Sequence, residues 1–192
     1  MALLDLRLQE FLDEVASERR TPGGGSVAAV VTAAAAGLLA KVARASAGEW
    51  AGAAGIVAQA ESLQERIAPL AELAAQEYEA ALRAHAETGE ETGERRDFAL
   101  GRAYARAAEP PLRIVEAATD VAQLSVAIVR NGNPGLRADA AAAGALAAAA
   151  ARAAAELVAV NLTASKDDPR VLRARMLAGE AARAADEAFA GG

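Results

Sequence analysis

The sequence contains no cysteine, a single histidine, and only three Phe, two Tyr and one Trp among 192 residues. Without cysteine there is no disulfide framework and no thiolate-ligated metal. The lone His85 excludes a histidine-based zinc site and argues against a Ser-His-Asp triad; beside a polar loop it reads as a surface residue. No metal site is expected. Runs of β-branched or aromatic residues are missing too, which excludes an all-β fold and leaves no Val/Ile-rich strands for a parallel sheet. There is no basic stripe: 18 Arg and two Lys (Lys41 and Lys166) are spread along a chain of formal net charge −6. A duplex nucleic-acid partner is therefore not expected. The first residues include Asp5, Arg7, Glu10 and Asp13, so no signal peptide is read there. The Ala-rich run 138–159 holds Asp139, Arg152 and Glu156, and Ala is only weakly apolar, so a membrane span is a poor reading. A soluble, cytoplasmic protein is expected.

What the chain has in excess is alanine, 58 residues. Ala is the best helix former, and the expected fold is all-α: an up-and-down bundle of about six to seven Ala-rich helices in a single domain, 1–192. Leu4, Leu8, Phe11, Leu12 and Val15 recur at helical spacing. A second helix is expected from about Ser26 to Ser46, and three glycines within 48–55 break the pattern. A long helical stretch follows over about 56–86, with Pro69 inside it as a kink or interruption. After the acidic loop 87–93 come helices over about 94–108 and, opened by Pro110-Pro111, up to Arg130. Asn131-Gly-Asn-Pro-Gly135 is a stop and turn. An Ala-rich helix then spans about 137–163, and a last one about 169–189. Ala contacts let helix axes approach closely but bury little area each. The chain is therefore expected to be a homodimer or higher, with the 137–163 helix central or at the interface.

Three segments stand out for chemistry. In Thr21-Pro22-Gly23-Gly24-Gly25-Ser26, consecutive glycines expose backbone N–H groups ahead of a helix, with Ser26 placed as N-cap. The same segment reads equally as a hinge or a tight crossing. It lacks the Lys-Ser/Thr of a phosphate-binding loop and is not a GxGxxG after a strand. Asp139, in the first turn of the Ala-rich helix, reads either as a dipole partner or as a carboxylate at the mouth of a cleft. The segment from Asn161 to Lys166-Asp167 closes the other end of that helix.

Phe11-Leu-Asp-Glu-Val-Ala-Ser17 followed by Thr21-Pro-Gly-Gly-Gly-Ser-Val-Ala-Ala29 resembles the opening of the formiminotransferase-cyclodeaminase C-terminal domain, a family that includes bacterial methenyltetrahydrofolate cyclohydrolases. Gly132-Asn133-Pro134, Asp139 and Asn161-Leu162 ahead of Lys166 resemble its second pattern. Ala138 stands where the family often has Ser, and Glu77 takes the place of a typical Asp in the third helix. The resemblance implies an all-helical homodimer that handles a folate one-carbon unit, either as cyclohydrolase or as cyclodeaminase. It implies no cofactor beyond tetrahydrofolate as substrate carrier. Asp139 is the first candidate for the catalytic carboxylate, as base or as pterin anchor, and Glu77 the second. Pro22, Gly23, Gly24, Gly25, Ser26, Asn133, Arg137, Asn161 and Lys166 are the candidate substrate-binding residues, with Arg130, Arg137 and Lys166 facing the glutamate tail. A folate-binding relative without turnover and a structural dimerisation protein are the alternatives.

Overall fold

The structure, a computed structural model, describes residues 3–88, 93–162 and 167–191. The described residues form eight α-helices: α1 (Leu8–Val15), α2 (Gly24–Ala45), α3 (Ala53–Ile67), α4 (Leu70–Thr88), α5 (Glu94–Ala107), α6 (Glu109–Asn131), α7 (Arg137–Asn161) and α8 (Pro169–Ala190). The all-α expectation holds. The helix tally rises because Pro69 divides the 56–86 stretch into α3 and α4, with Ala68 N–H closing on the Gln64 carbonyl at the break. Pro110 and Pro111 occupy the first turn of α6, where a missing N–H costs nothing. Asp168 caps α8, its side chain accepting the Arg170 N–H at 2.9 Å.

The core is made largely of alanine. α7 buries Ala140, Ala143, Ala147, Ala151 and Ala154 against α2, α6 and α8, and the few large anchors are Leu39, Ile67, Ile114 and Ile128. At the α6–α7 crossing a Cβ on Gly144 would stand 3.0 Å from Ser125 Cβ, and closer still to its hydroxyl. Only glycine lets these two helices meet there. Thr119 of α6 also donates to the Leu177 carbonyl of α8 at 3.1 Å.

α2 and α7 run antiparallel. The start of α2 meets the end of α7, where Gly24 faces Leu157, and its end meets the start of α7, where Lys41 pairs with Asp139. Both Gly24–Ala45 and Pro134–Asn161 are long and apolar enough to cross a membrane, yet they are the core helices of this fold. α2 buries Ala28, Ala29, Thr32, Ala36, Leu39 and Val42, while Gly24, Val27, Val31, Ala34, Leu38 and Lys41 stay partly or fully exposed. That exposed stripe repeats every three and four residues from one end of the helix to the other.

Candidate functional site

α2 begins at Gly24, two residues earlier than its composition suggests, because Gly23 takes the N-cap in extended conformation. Ser26 is therefore not the cap. It sits within the first turn, buried, and its hydroxyl donates to the Ala71 carbonyl of α4 at 2.6 Å. That bond ties α2 to α4 and occupies the hydroxyl. The N–H groups of Gly24, Gly25 and Ser26 have no acceptor inside the helix, as at any helix start. They border a cavity of about 270 Å³. The Thr21–Pro22 peptide ahead of it is cis, and Thr21 Oγ1 donates to Glu79.

The glycines divide their work. A Cβ on Gly25 would meet Ala74 Cβ at 3.0 Å, so this residue permits the α2–α4 crossing. A Cβ on Gly24 would reach only Leu157 at 3.7 Å, an ordinary contact, so Gly24 is open toward the cavity. No glycine of the loop has positive φ; among the described residues only Gly93 does.

The cavity is closed by α4 through Ala74 and Tyr78, by the α5–α6 junction at Ala107 and Pro111, and by the end of α7 at Leu157 and Asn161. Asn161 donates its Nδ2 to the Ala107 carbonyl at 3.0 Å, which holds the side chain on the wall. The two segments singled out from distant parts of the sequence, the glycine loop and Asn161, thus share one cavity. A second cavity of about 730 Å³ adjoins it across Tyr78, Val160 and Asn161. Glu77 stands on α4 next to Tyr78, beside the cavity rather than in its lining, with its carboxylate 4.0 Å from Arg106 Nε.

The remaining candidates lie elsewhere. Asn133, Arg137 and Asp139 are at the opposite end of α7; at a rise of ~1.5 Å per residue, Asp139 is about 27 Å from Leu157 along the helix. Asp139 Oδ2 is 3.2 Å from Lys41 Nζ, and the Asn133 backbone N–H donates to Ser46 Oγ at 2.8 Å. Arg137 donates to the Phe189 carbonyl at 3.4 Å, and Arg130 pairs with Glu187. A single chain therefore does not unite Asp139 with the glycine loop. Lys166 lies outside the described residues. His85 is exposed on α4, as expected of a surface histidine.

Residues that the sequence reading passed over also shape the site. Arg20 and Tyr78 line the first cavity, and Tyr78 and Tyr104 line the second. In a chain with only two tyrosines, their rarity was the available signal. At the far wall of the second cavity Arg170 bonds both Asp168 oxygens, at 3.0 and 2.8 Å, and Glu109 at 3.2 Å. The Arg170 hydrogen bonds hold the Asp168 carboxyl below the usual carboxylate range. On another face, between α3 and α6, burial pushes the Asp120 carboxyl up despite the nearby Arg66.

The fold is thus an all-helical domain in which a glycine-opened helix start faces the end of its antiparallel partner. A solved formiminotetrahydrofolate cyclodeaminase from Thermotoga maritima is similar at 25% sequence identity and a TM-score of 0.80, covering 97% of this chain and 93% of that one. The family described as formiminotransferase-cyclodeaminase matches residues 7–178, and the chain belongs to it. No curated protein matches.

Proposed function

We propose that this protein is an enzyme of folate one-carbon metabolism, a methenyltetrahydrofolate cyclohydrolase or a formiminotetrahydrofolate cyclodeaminase. The observation that carries the reading is the meeting of the Gly23–Ser26 amides with Asn161 around one cavity, in a chain of the cyclodeaminase family. Helix-start amides suit carbonyl and carboxylate oxygens of such a substrate. The bridging methenyl carbon is an electrophilic amidinium, so hydrolysis needs a positioned water, a base and a proton for the leaving nitrogen. Cyclodeamination forms that bridge and expels ammonia. Either reaction needs a carboxylate near the one-carbon unit and tight geometry. No cofactor beyond the tetrahydrofolate carrier enters this reading, and a cytoplasmic location is part of the proposal.

Glu77 is the carboxylate that the same chain offers beside the cavity. Asp139 enters the site from a second copy. The exposed α2 stripe runs from Gly24 to Lys41, so two copies packed antiparallel along it bring the Lys41–Asp139 end of one against the glycine-loop end of the other. A homodimer of this kind covers Val27, Val31 and Leu38 and completes two equal sites, with Asp139 of the partner subunit reaching each cavity. Asn133 and Arg137 travel with it as substrate contacts.

Absorbance of methenyltetrahydrofolate, followed on adding the protein and repeated with formiminotetrahydrofolate, tests the reading directly. Turnover of one of them is expected; a ligand-induced rise in melting temperature without turnover would leave a binder, and no response to either would leave a structural protein.

A further inference from the structure

We infer that the substrate lies in the joined cavities in one direction, with its pterin ring between the tyrosines and its glutamate tail at Arg20. The inference rests on the folate reading above and deepens it.

Folate is chemically polar along its length. One end is a flat ring with adjacent N–H donors, and the other is an acid tail. The joined cavities are polar in the complementary sense. Arg20 is exposed and is the one basic side chain lining the first cavity. Among the described residues no carboxylate pairs with it, whereas its neighbour Arg19 is held by Glu14 at 2.9 Å. The second cavity is lined by both tyrosines of the chain, and neither hydroxyl has a hydrogen-bond partner among the described residues. In a protein whose core is mostly alanine, Tyr78 offers a partly exposed π face, and Tyr104, packed on Ala81, Ala103 and Ala107, turns its remaining surface to the cavity. The carboxylate of Asp97 lines the same cavity, is 74% exposed and is paired only loosely, with Arg96 at 3.7 Å, so it can still accept paired N–H donors. The described cation there, Arg170, is already neutralised by Asp168 and Glu109.

The reverse direction would set the tail carboxylates beside Asp97 and leave Arg20 facing an uncharged ring. The inferred direction has a further consequence. The one-carbon unit lies between pterin and benzoyl groups, so it falls at the wall the cavities share, beside Tyr78 and one residue from Glu77.

Two fragments separate the ends: a tailless tetrahydropterin and p-aminobenzoylglutamate, each titrated by calorimetry. Tyr104→Leu keeps apolar bulk and removes the ring face; it should weaken the pterin roughly five- to tenfold and leave the other fragment unchanged. Tyr104→Phe should bind both normally. Arg20→Gln should weaken p-aminobenzoylglutamate about tenfold and leave the pterin unchanged. Circular dichroism of each variant checks the fold, and Tyr104→Phe and Arg20→Lys keep the test readable if a harsher variant unfolds. The opposite pattern, an equal effect on both fragments, no effect, or a wild-type protein that binds neither fragment overturns the inference. Whole-substrate turnover is measured separately. Turnover with fragment affinities insensitive to both variants overturns the direction alone; the expected split without turnover upholds the direction and overturns the reaction.

Discussion

The two ends of the antiparallel α2–α7 pair are built from the same helices and treat charge in opposite ways. At the Lys41 end three cations have carboxylate partners within the chain, Lys41 with Asp139, Arg44 with Glu61 and Arg130 with Glu187, while Arg137 reaches only the Phe189 carbonyl. At the glycine-loop end the helix-start amides and Arg20 border open space. Groups left unpaired against a cavity point to a ligand, while groups paired on the surface mostly do not. The contrast is less absolute than it looks. The Lys41–Asp139 pair is 65% and 42% exposed, and such pairs contribute about 0–1 kcal/mol. Asp139 gives up little when it exchanges Lys41 for another partner.

The sharpest way to break the comparison is to disable each end and mix the products. Glu77→Gln and Asp139→Asn are each expected to lower turnover about a hundredfold or more, with melting temperatures within a few degrees of the parent. Mixed in equal amounts, two such inactive proteins form hybrids with one intact site, so about a quarter of parental turnover should return. Absence of recovery, or full activity of Asp139→Asn, would remove Asp139 from the site and leave the far end purely structural.

A second test works on the glycine-loop end alone. Gly25→Val forces a side chain into Ala74 and is expected to cost about 1–3 kcal/mol of stability as well as ligand binding. Gly24→Ala meets only Leu157 and should leave denaturant midpoints nearly unchanged while perturbing ligand affinity. Equal destabilisation by both would contradict the division of labour between the two glycines.

The carboxylates away from both ends respond to acid with opposite signs. Asp168 has its folded pKa lowered, chiefly by the Arg170 hydrogen bonds, so its stabilisation is present above the ordinary carboxylate pKa and is lost as pH falls through the folded value. Asp168→Asn should lower the melting temperature at neutral pH and flatten its decline in acid. Asp120 has its folded pKa raised by burial, so its contribution is most favourable when protonated and is lost as pH rises through the raised value. Asp120→Asn should raise the melting temperature slightly at pH 7 and do nothing in acid. Smallest of all, Lys41→Ala should change stability by at most about 1 kcal/mol.

Much of this fold can be read directly from residue types. Alanine content set the helices, Pro69 and Pro110-Pro111 set two of their boundaries, and the glycine loop and Asn161 were both visible as candidate contacts. What residue types do not carry is tertiary register. Helical periodicity says which residues share a face but not which end of α2 meets which end of α7, and so it does not show that Asp139 and the glycine loop lie at opposite ends of one chain. Ser26 shows the same gap on a smaller scale. A serine after glycines fits a cap, but Gly23 already has the extended backbone a cap needs, and the hydroxyl finds the Ala71 carbonyl instead. The tyrosines carry no separate signal because each stands among apolar residues at helical spacing, Ala74, Ala81 and Leu82 around Tyr78 and Leu100, Ala107 and Ala108 around Tyr104, where it reads as one more packing position.

The crossing at Gly144 also sets where this protein moves. Near Gly144, two turns into α7, the α6 and α7 backbones are pinned at close approach, so amides around it should exchange with solvent only through global opening. Toward Arg137 and Asn161 the helix leaves that crossing for exposed turns and cavity walls. Protection should fall away from that crossing in both directions, along a rod clamped nearer its Arg137 end and free to breathe at both tips. Fluctuation is thereby concentrated where ligands must enter and leave, while the distance between the two tips stays fixed.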